Sequence, residues 1–374
     1  MSRIKPKSAL EHIALYRPDT SGTVSANPIR LSVNEGALGP SPKAIEALRQ
    51  MGDRLHRYPE QIDTDLVAAI ADYSGLDPAR ILPSNGSDEL IGLLATAYCN
   101  DGDEAIITQY GFLVFRQSVT VAGGVPVIAP DEGLTVSVDA ILNLISPRTK
   151  LIFLANPNNP TGTMIPRADI ERLIANVPDH IIIVLDSAYA EYLDGGDQDY
   201  TDGAEYVEKY DNVVMLRTFS KIFGLGALRL GWGYFPPEIY STLASIRGAF
   251  SVNAAAAIAG SAAIADKAFY QSSIDHNRRW MPRIQASILQ AGFMPLPSVA
   301  NFFLIRFASP EAAAAAHQFM IDRDILLRRM TPYGLPDCLR MSIGNDAEME
   351  LVTSAFKDLS HVEGMGIAPE ADTR

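Results

Sequence analysis

Residues 218–231 read TFSKIFGLGALRLG, which sets Lys221 among apolar neighbours, with Arg229 eight residues further on. An ammonium group in such company is costly unless it is paired, neutral or covalently engaged. Other reactive side chains stand at the ends of β-rich runs. Asp186 closes IIIVLD (181–186), and Tyr189 follows it. Asn159 lies in the loop NPNNPTG after KLIFLA (150–155), and Ser220 and Lys221 follow VVMLRT (213–218). Upstream, SNGSDEL (84–90) puts Ser87 and Asp88 at the start of an apolar periodic run. Free backbone N–H groups at such a helix start suit a phosphate.

Each of these has a plain structural role available. Asp186 fits a helix N-cap, Asn-Pro-Thr-Gly is turn chemistry, and SNGSD caps a helix. Together they supply an acid, an amide, a phenol, an amine and an anion cradle at strand ends, where parallel sheets bind ligands. Pyridoxal phosphate uses that set. A lysine attaches its aldehyde, an acid keeps the pyridine nitrogen protonated so that the ring accepts carbanion electrons, and polar groups hold the ring oxygen and the phosphate. A nucleophilic lysine needs a depressed pKa, which burial beside cationic Arg229 is expected to provide.

Competing chemistries lack their residues. No lysine follows the glycine of SNGSDEL, so it is not a P-loop, and Arg229 stands where a dinucleotide fingerprint needs its third glycine. His12, His56, His180, His276, His317 and His361 show no metal-ligand spacing, and no metal is expected. There is no G-x-S-x-G elbow, and Cys99 and Cys338 have no motif context.

The elements that must position these residues alternate. Strand-like runs at 105–108, 125–128, 150–155, 181–186 and 213–218 are separated by helical periodicity, as in SPKAIEALRQM and GSDELIGLLATAY. This predicts an α/β fold with a mostly parallel sheet flanked by helices. FFLIRF (302–307), a helix from Pro310 and LRMSIG (339–344) predict a smaller α+β C-terminal domain. We divide the chain into an irregular N-terminal arm (1–40), a large domain (41–266) and a small domain (267–374). The chain of 374 residues is 47% apolar and 20% charged, with a net charge of -13 and no basic run, which argues against nucleic acid. Gly248–Ala265 is long and uncharged but rich in Ala, Gly and Ser, and reads as a packed internal helix rather than a membrane span. Two distant cysteines and an N-terminus without an apolar signal core predict a cytoplasmic protein.

From about residue 10 to 358 the sequence resembles the fold-type-I pyridoxal-phosphate aminotransferases, and within them the histidinol-phosphate branch. NEGALGPSP, RYPE, SNGSDE, ANPNNPTG, DSAYAEY, TFSKIFGLGALRLGW and YGLPDCLRMSIG carry the resemblance, in order. It implies that Lys221 binds the cofactor and shuttles a proton, that Asp186 pairs with the pyridinium nitrogen, and that Asn159 and Tyr189 bond the ring oxygen. Tyr110 would stack on the ring. Ser87, Asp88, Ser220 and Arg229 would hold the phosphate, with Tyr58 reaching over from a second subunit of a homodimer with shared active sites. Arg340 would grip the anionic end of either substrate, aided by Arg328, Tyr16, Tyr58 and Asn159. The implied reaction is transamination of histidinol phosphate with 2-oxoglutarate, a step of histidine biosynthesis. An aromatic amino-acid aminotransferase and a decarboxylase of a phosphorylated amino acid are the alternatives within the cofactor class. The family's Asn-Glu-Asn-Pro is NEGA here (34–37), its Tyr-x-Pro-Gly is YRPD (16–19), and the aromatic expected after Tyr110 is Leu113.

Overall fold

In a computed structural model of the chain, the described residues are 27–52, 55–59, 64–193 and 199–362, with Leu10, Ile13 and Ser25. The order is β1 (Ile29–Arg30), α1 (Pro42–Met51), α2 (Thr64–Ser74), β2 (Ile81–Ser84), α3 (Ser87–Tyr98), β3 (Glu104–Thr108), α4 (Leu113–Ala122) and β4 (Val125–Ala129). Next come α5 (Val138–Asn143), β5 (Thr149–Ala155), α6 (Arg167–Asn176), β6 (Ile182–Asp186), α7 (Ala204–Val207), β7 (Val213–Thr218) and β8 (Gly231–Tyr234). The rest is α8 (Pro237–Ile246), α9 (Ala254–Ile264), α10 (Lys267–Gln290), β9 (Met294–Pro295), β10 (Phe302–Arg306), α11 (Pro310–Ile321), β11 (Ile325–Leu326), β12 (Arg328–Arg329), β13 (Cys338–Ser342) and α12 (Asp346–Leu359).

Among the described residues, β2-β8-β7-β6-β5-β3-β4 form a seven-stranded sheet in that order. Its central strands carry unbroken apolar runs at 151–155, 182–185 and 213–216 because both faces are covered. Ile152, Leu154, Ile183, Leu185, Val213 and Met215 pack into one core cluster. Their neighbours Leu151, Phe153, Ile182, Val184, Val214 and Leu216 pack into another. That alternation is the period-2 geometry of a strand, and each fully buried Val, Leu or Ile contributes roughly 1.5–3 kcal/mol.

β8 runs antiparallel to both β7 and β2, so β2 is parallel to β7. Gly231 opposes Thr218 on one side and Ser84 on the other. The start of β8 therefore brings the ends of β2 and β7 to one edge, with α3 and the lysine segment side by side. Neither β2 (ILPS) nor β8 (GWGY) is readable beforehand, being short and broken by Pro83 and two glycines.

The C-terminal residues form an antiparallel sheet in the order β12-β13-β10-β9. The arm is not irregular throughout. β1 pairs in parallel with β11, and Leu31 is buried with Phe303, Ile305, Leu339 and Met341. The helix expected over 248–265 begins only at Ala254, because the Asn253 side chain accepts from Ala256 N–H and caps it. No helix among the described residues is long and apolar enough to cross a membrane.

Candidate active site

The sheet presents its polar residues where β2, β5, β6 and β7 end. Asp186 is the last residue of β6, paired in register with Ala155 of β5 and Leu216 of β7. Its carboxyl is buried, and Oδ1 has no hydrogen-bond partner. Burial pushes its pKa up to about 7, the Asp88 charge adds to that, and the Ala188 N–H and Lys221 oppose it.

Lys221 lies in the connection between β7 and β8. Its Nζ donates to the Val33 carbonyl at 3.2 Å and stands 5.6 Å from the Tyr189 ring centre. Burial lowers its pKa to about 8, and the largest cationic contribution is from Arg340. The expectation that burial beside Arg229 depresses the amine holds, although Arg340 contributes more. The Arg229 guanidinium is 45% exposed and pairs with Asp88 at 3.4 Å.

Arg229 also braces the loop that carries Lys221. It donates to Ser220 Oγ at 3.4 Å and to Gly226 O at 3.0 Å, from a backbone held at φ 54. Gly86 precedes Ser87 and Asp88 with φ 80, and a Cβ there would meet Arg229 Nη2 at 2.7 Å. A Cβ on Gly231 would meet Ser87 N at 2.3 Å. Both glycines are needed for the close approach of loop and helix start, whose first-turn N–H groups suit an anion.

The opposite wall comes from the arm and the C-terminal sheet. Arg340, on β13, donates through Nη1 to Asn159 Oδ1 and through Nη2 to Ser32 O at 2.9 Å. Its guanidinium lies 5.2 Å from the Phe302 ring centre. Arg328 opposes Arg340 in register across β12 and β13, so both side chains leave the same face of the sheet. Tyr189 Oη accepts from Asn34 Nδ2 at 2.9 Å. Tyr110 packs against the cluster of Leu304, Met330 and Cys338. Its N–H donates to Asp131 Oδ2 at 3.1 Å, and its carbonyl accepts from Asn158 Nδ2 at 3.2 Å.

Two expected residues stand apart. Tyr58 is 84% exposed and stacks on Phe250 with ring centres 4.9 Å apart. Tyr16 lies outside the described residues. Sequence reasoning passed over Asn34, Ser342 and Asp131. Asn34 heads the quoted NEGA motif, and Asp131 follows β4, so the strand-end rule applied once more would have found it.

These groups fit a cofactor that carries a basic ring nitrogen, an aldehyde and a phosphate. The partnerless Asp186 Oδ1, the depressed Lys221 amine and the Gly86–Arg229 cradle are the three observations that say so. Known proteins agree in kind. Residues 26–356 match the family described as aminotransferase class I and II. The chain is 47% identical to the histidinol-phosphate aminotransferase of Rhodospirillum centenum, over 88% of this chain and 91% of that one. It is 46% identical to the enzyme of that name from Paramagnetospirillum magneticum, over 88% and 91%. The crystal structure of histidinol-phosphate aminotransferase from Sinorhizobium meliloti in complex with pyridoxal-5'-phosphate matches with a TM-score of 0.87 at 27% identity, over 96% of this chain and 98% of that one. The fold and site define an aminotransferase. The chain belongs to the class I and II aminotransferases.

Proposed function

We propose that the chain transfers the amino group of histidinol phosphate to 2-oxoglutarate, with pyridoxal 5'-phosphate as cofactor. The observation that carries this reading is the pairing of a depressed lysine amine with a buried, partnerless carboxyl oxygen at adjacent strand ends. The identity to histidinol-phosphate aminotransferases over most of the chain supports the donor. When bound, the cofactor supplies a protonated ring that accepts the electrons left on carbon when a proton departs.

The chain's own residues do the rest. Asp186 would accept a hydrogen bond from the ring nitrogen and keep it protonated. Asn159 Oδ1 already accepts from Arg340, so its Nδ2 is left to hold the ring oxygen alongside Tyr189. Tyr110 would stack on the ring. Ser220, Arg229 and the backbone N–H groups of Ser87 and Asp88 would hold the phosphate. Burial lowers the Lys221 Nζ pKa to about 8, which suits an amine that would take a proton from the substrate carbon that bears nitrogen and return it. Arg340 and Arg328 present two guanidinium groups on one face, suited to a phosphate in one half-reaction and a carboxylate in the other.

The active unit we propose is a homodimer, with Tyr58 completing the neighbour's site. An apolar surface of Leu55, Tyr58 and Phe250, all exposed in the single chain, supports this. So placed, inactive Tyr58→Ala and Lys221→Ala subunits should recover activity when mixed and allowed to exchange. The arm (1–40), large (41–266) and small (267–374) domains remain our division, and the two buried free thiols suit a reducing cytoplasm.

The test is a half-reaction screen. Histidinol phosphate, phenylalanine and phosphothreonine are added singly to the loaded enzyme, and the fall of the visible cofactor band is timed. The reading requires histidinol phosphate to react fastest. A faster reaction with phenylalanine would rename the enzyme an aromatic aminotransferase, and carbon dioxide release from phosphothreonine would make it a decarboxylase.

A further inference from the structure

Asn34 is buried, has a left-handed backbone (φ 58), and makes a closed set of hydrogen bonds. Its backbone N–H donates to Ser342 Oγ at 2.9 Å, and Ser342 Oγ donates back to Asn34 Oδ1 at 3.1 Å. The serine hydroxyl proton goes to Oδ1, so the amide presents its oxygen to Ser342. Nδ2 is therefore turned to Tyr189 Oη, 2.9 Å away. Asn301 Nδ2 clamps the same turn from outside, donating to Asn34 O at 3.4 Å and Glu35 O at 3.1 Å.

A phenol that accepts on one side must send its own proton elsewhere. We propose that Asn34, oriented by Ser342, is a positioning residue that commits the Tyr189 hydroxyl proton to the cofactor side of the site. The alternative arrangement, Tyr189 donating to an amide oxygen at residue 34, would leave only a phenolic lone pair facing the ring oxygen. A lone pair there repels the negative charge the ring oxygen carries. The charged and titratable groups facing Tyr189 are Arg340, Lys221, Asp186 and Tyr333. Of these, Arg340 favours phenol ionisation, as does the Asn34 hydrogen bond, while burial, Asp186 and Tyr333 oppose it. The donor from Asn34 thus strengthens Tyr189 as a donor in turn.

The inference rests on the reading that Tyr189 bonds the ring oxygen, so the experiment tests both separately. In the holoenzyme, the pH midpoint of the visible cofactor band is measured for wild type, Tyr189→Phe, Asn34→Asp, Ser342→Ala and Asn34→Asp combined with Tyr189→Phe. A donor to an anionic oxygen favours the deprotonated form, so losing it raises the midpoint. Asn34→Asp is close in shape but replaces the donor with an acceptor. It should raise the midpoint by about one pH unit, a tenfold change in the proton equilibrium. Ser342→Ala, which adds no charge, should raise it by a smaller amount and keeps the test available if the buried aspartate prevents folding. In the Tyr189→Phe background, Asn34→Asp should add little.

An equal shift in both backgrounds would mean that the new charge acts on the cofactor directly, and would overturn the proposal. So would Asn34→Asp and Ser342→Ala midpoints that match wild type while Tyr189→Phe moves its own. A Tyr189→Phe midpoint equal to wild type would instead remove the reading of Tyr189 on which the inference stands.

Discussion

The two walls of the crevice are built by different means. The sheet wall carries Asp186, Lys221, Ser220 and the start of α3, each within a few residues of a strand end. Register fixes it: Ala155, Asp186 and Leu216 are side by side, as are Ser84, Gly231 and Thr218. The facing wall carries Asn34, Arg328 and Arg340, from an arm and a small sheet joined to the rest by isolated long-range contacts. Arg340 reaches Asn159 across 181 residues and Ser32 across 308. A rigid, desolvating sheet suits groups whose pKa must be shifted, since burial is the first cause for both Asp186 and Lys221. Single reaching side chains suit recognition of two different anions, because each can be changed without moving the sheet. On the proposed reading, chemistry belongs to the first wall and substrate choice to the second.

Lys221→Ala breaks that comparison most severely. It removes both the attachment point and the proton carrier. One positioned acid–base group is worth roughly 10²–10⁴-fold, so losing both functions should cost more than the upper figure. Borohydride treatment of the wild-type protein should fix the cofactor on Lys221, as read by peptide mass. Amino transfer by the alanine variant at wild-type rate would take the chemistry off the sheet wall altogether.

Changes on the facing wall should be smaller and selective. A charge-assisted hydrogen bond is worth about 1.5–3 kcal/mol, so Arg340→Ala should slow both half-reactions roughly ten- to a hundredfold. It also releases Asn159, which adds to the loss. Arg340→Lys keeps the charge but not the planar fork, and should recover only part of the rate. Arg328→Ala should slow histidinol phosphate more than glutamate. Single-turnover rates with the two donors decide it: equal losses for both donors in Arg328→Ala would show that the two arginines do not divide the work.

The same contrast explains what the sequence made legible. Strand-end chemistry is local, so Asp186, Ser220, Lys221 and Asn159 are found by locating an apolar run and reading past its end. Ser87 follows from the helix start. Asp131, just past β4, was within reach of the same rule, whereas Asn34 follows no such run and its hydrogen bond joins segments 155 residues apart. β2 and β8 were also unreadable, because a four-residue antiparallel strand containing Pro or two glycines has no periodicity to detect. Yet β8 is what sets α3 beside the lysine. Arg229 shows a subtler limit. It does lower the Lys221 pKa, as its proximity in sequence suggested, but the larger cationic effect comes from Arg340, 119 residues away by number.

The smallest effect expected is on the stability of the cofactor-free protein, and it isolates the cost of the sheet wall. Asp186 has a folded pKa of about 7 against an ordinary 3.8. Between those values the folded protein holds a proton that the unfolded chain has released, so stability falls as pH rises toward 7. Lys221 has a folded pKa of about 8 against 10.5. Between those values the unfolded chain holds the extra proton, so stability rises with pH above 8. The two together place a minimum between pH 7 and 8, where the enzyme must bury a charged carboxylate and a charged amine. Asp131, pushed up to about 6 by burial, contributes to the acidic limb as well, so the comparison must be with variants. Asp186→Asn should melt higher than wild type at pH 7.5 by a few degrees, with the advantage shrinking toward pH 4.5. Lys221→Ala should flatten the basic limb in the same way. Calorimetry of the three cofactor-free proteins across pH 4.5–10 makes the measurement. A melting difference between Asp186→Asn and wild type that stays constant over that range would mean that Asp186 does not carry the burial cost assigned to it, and that the sheet wall is less desolvating than its geometry requires.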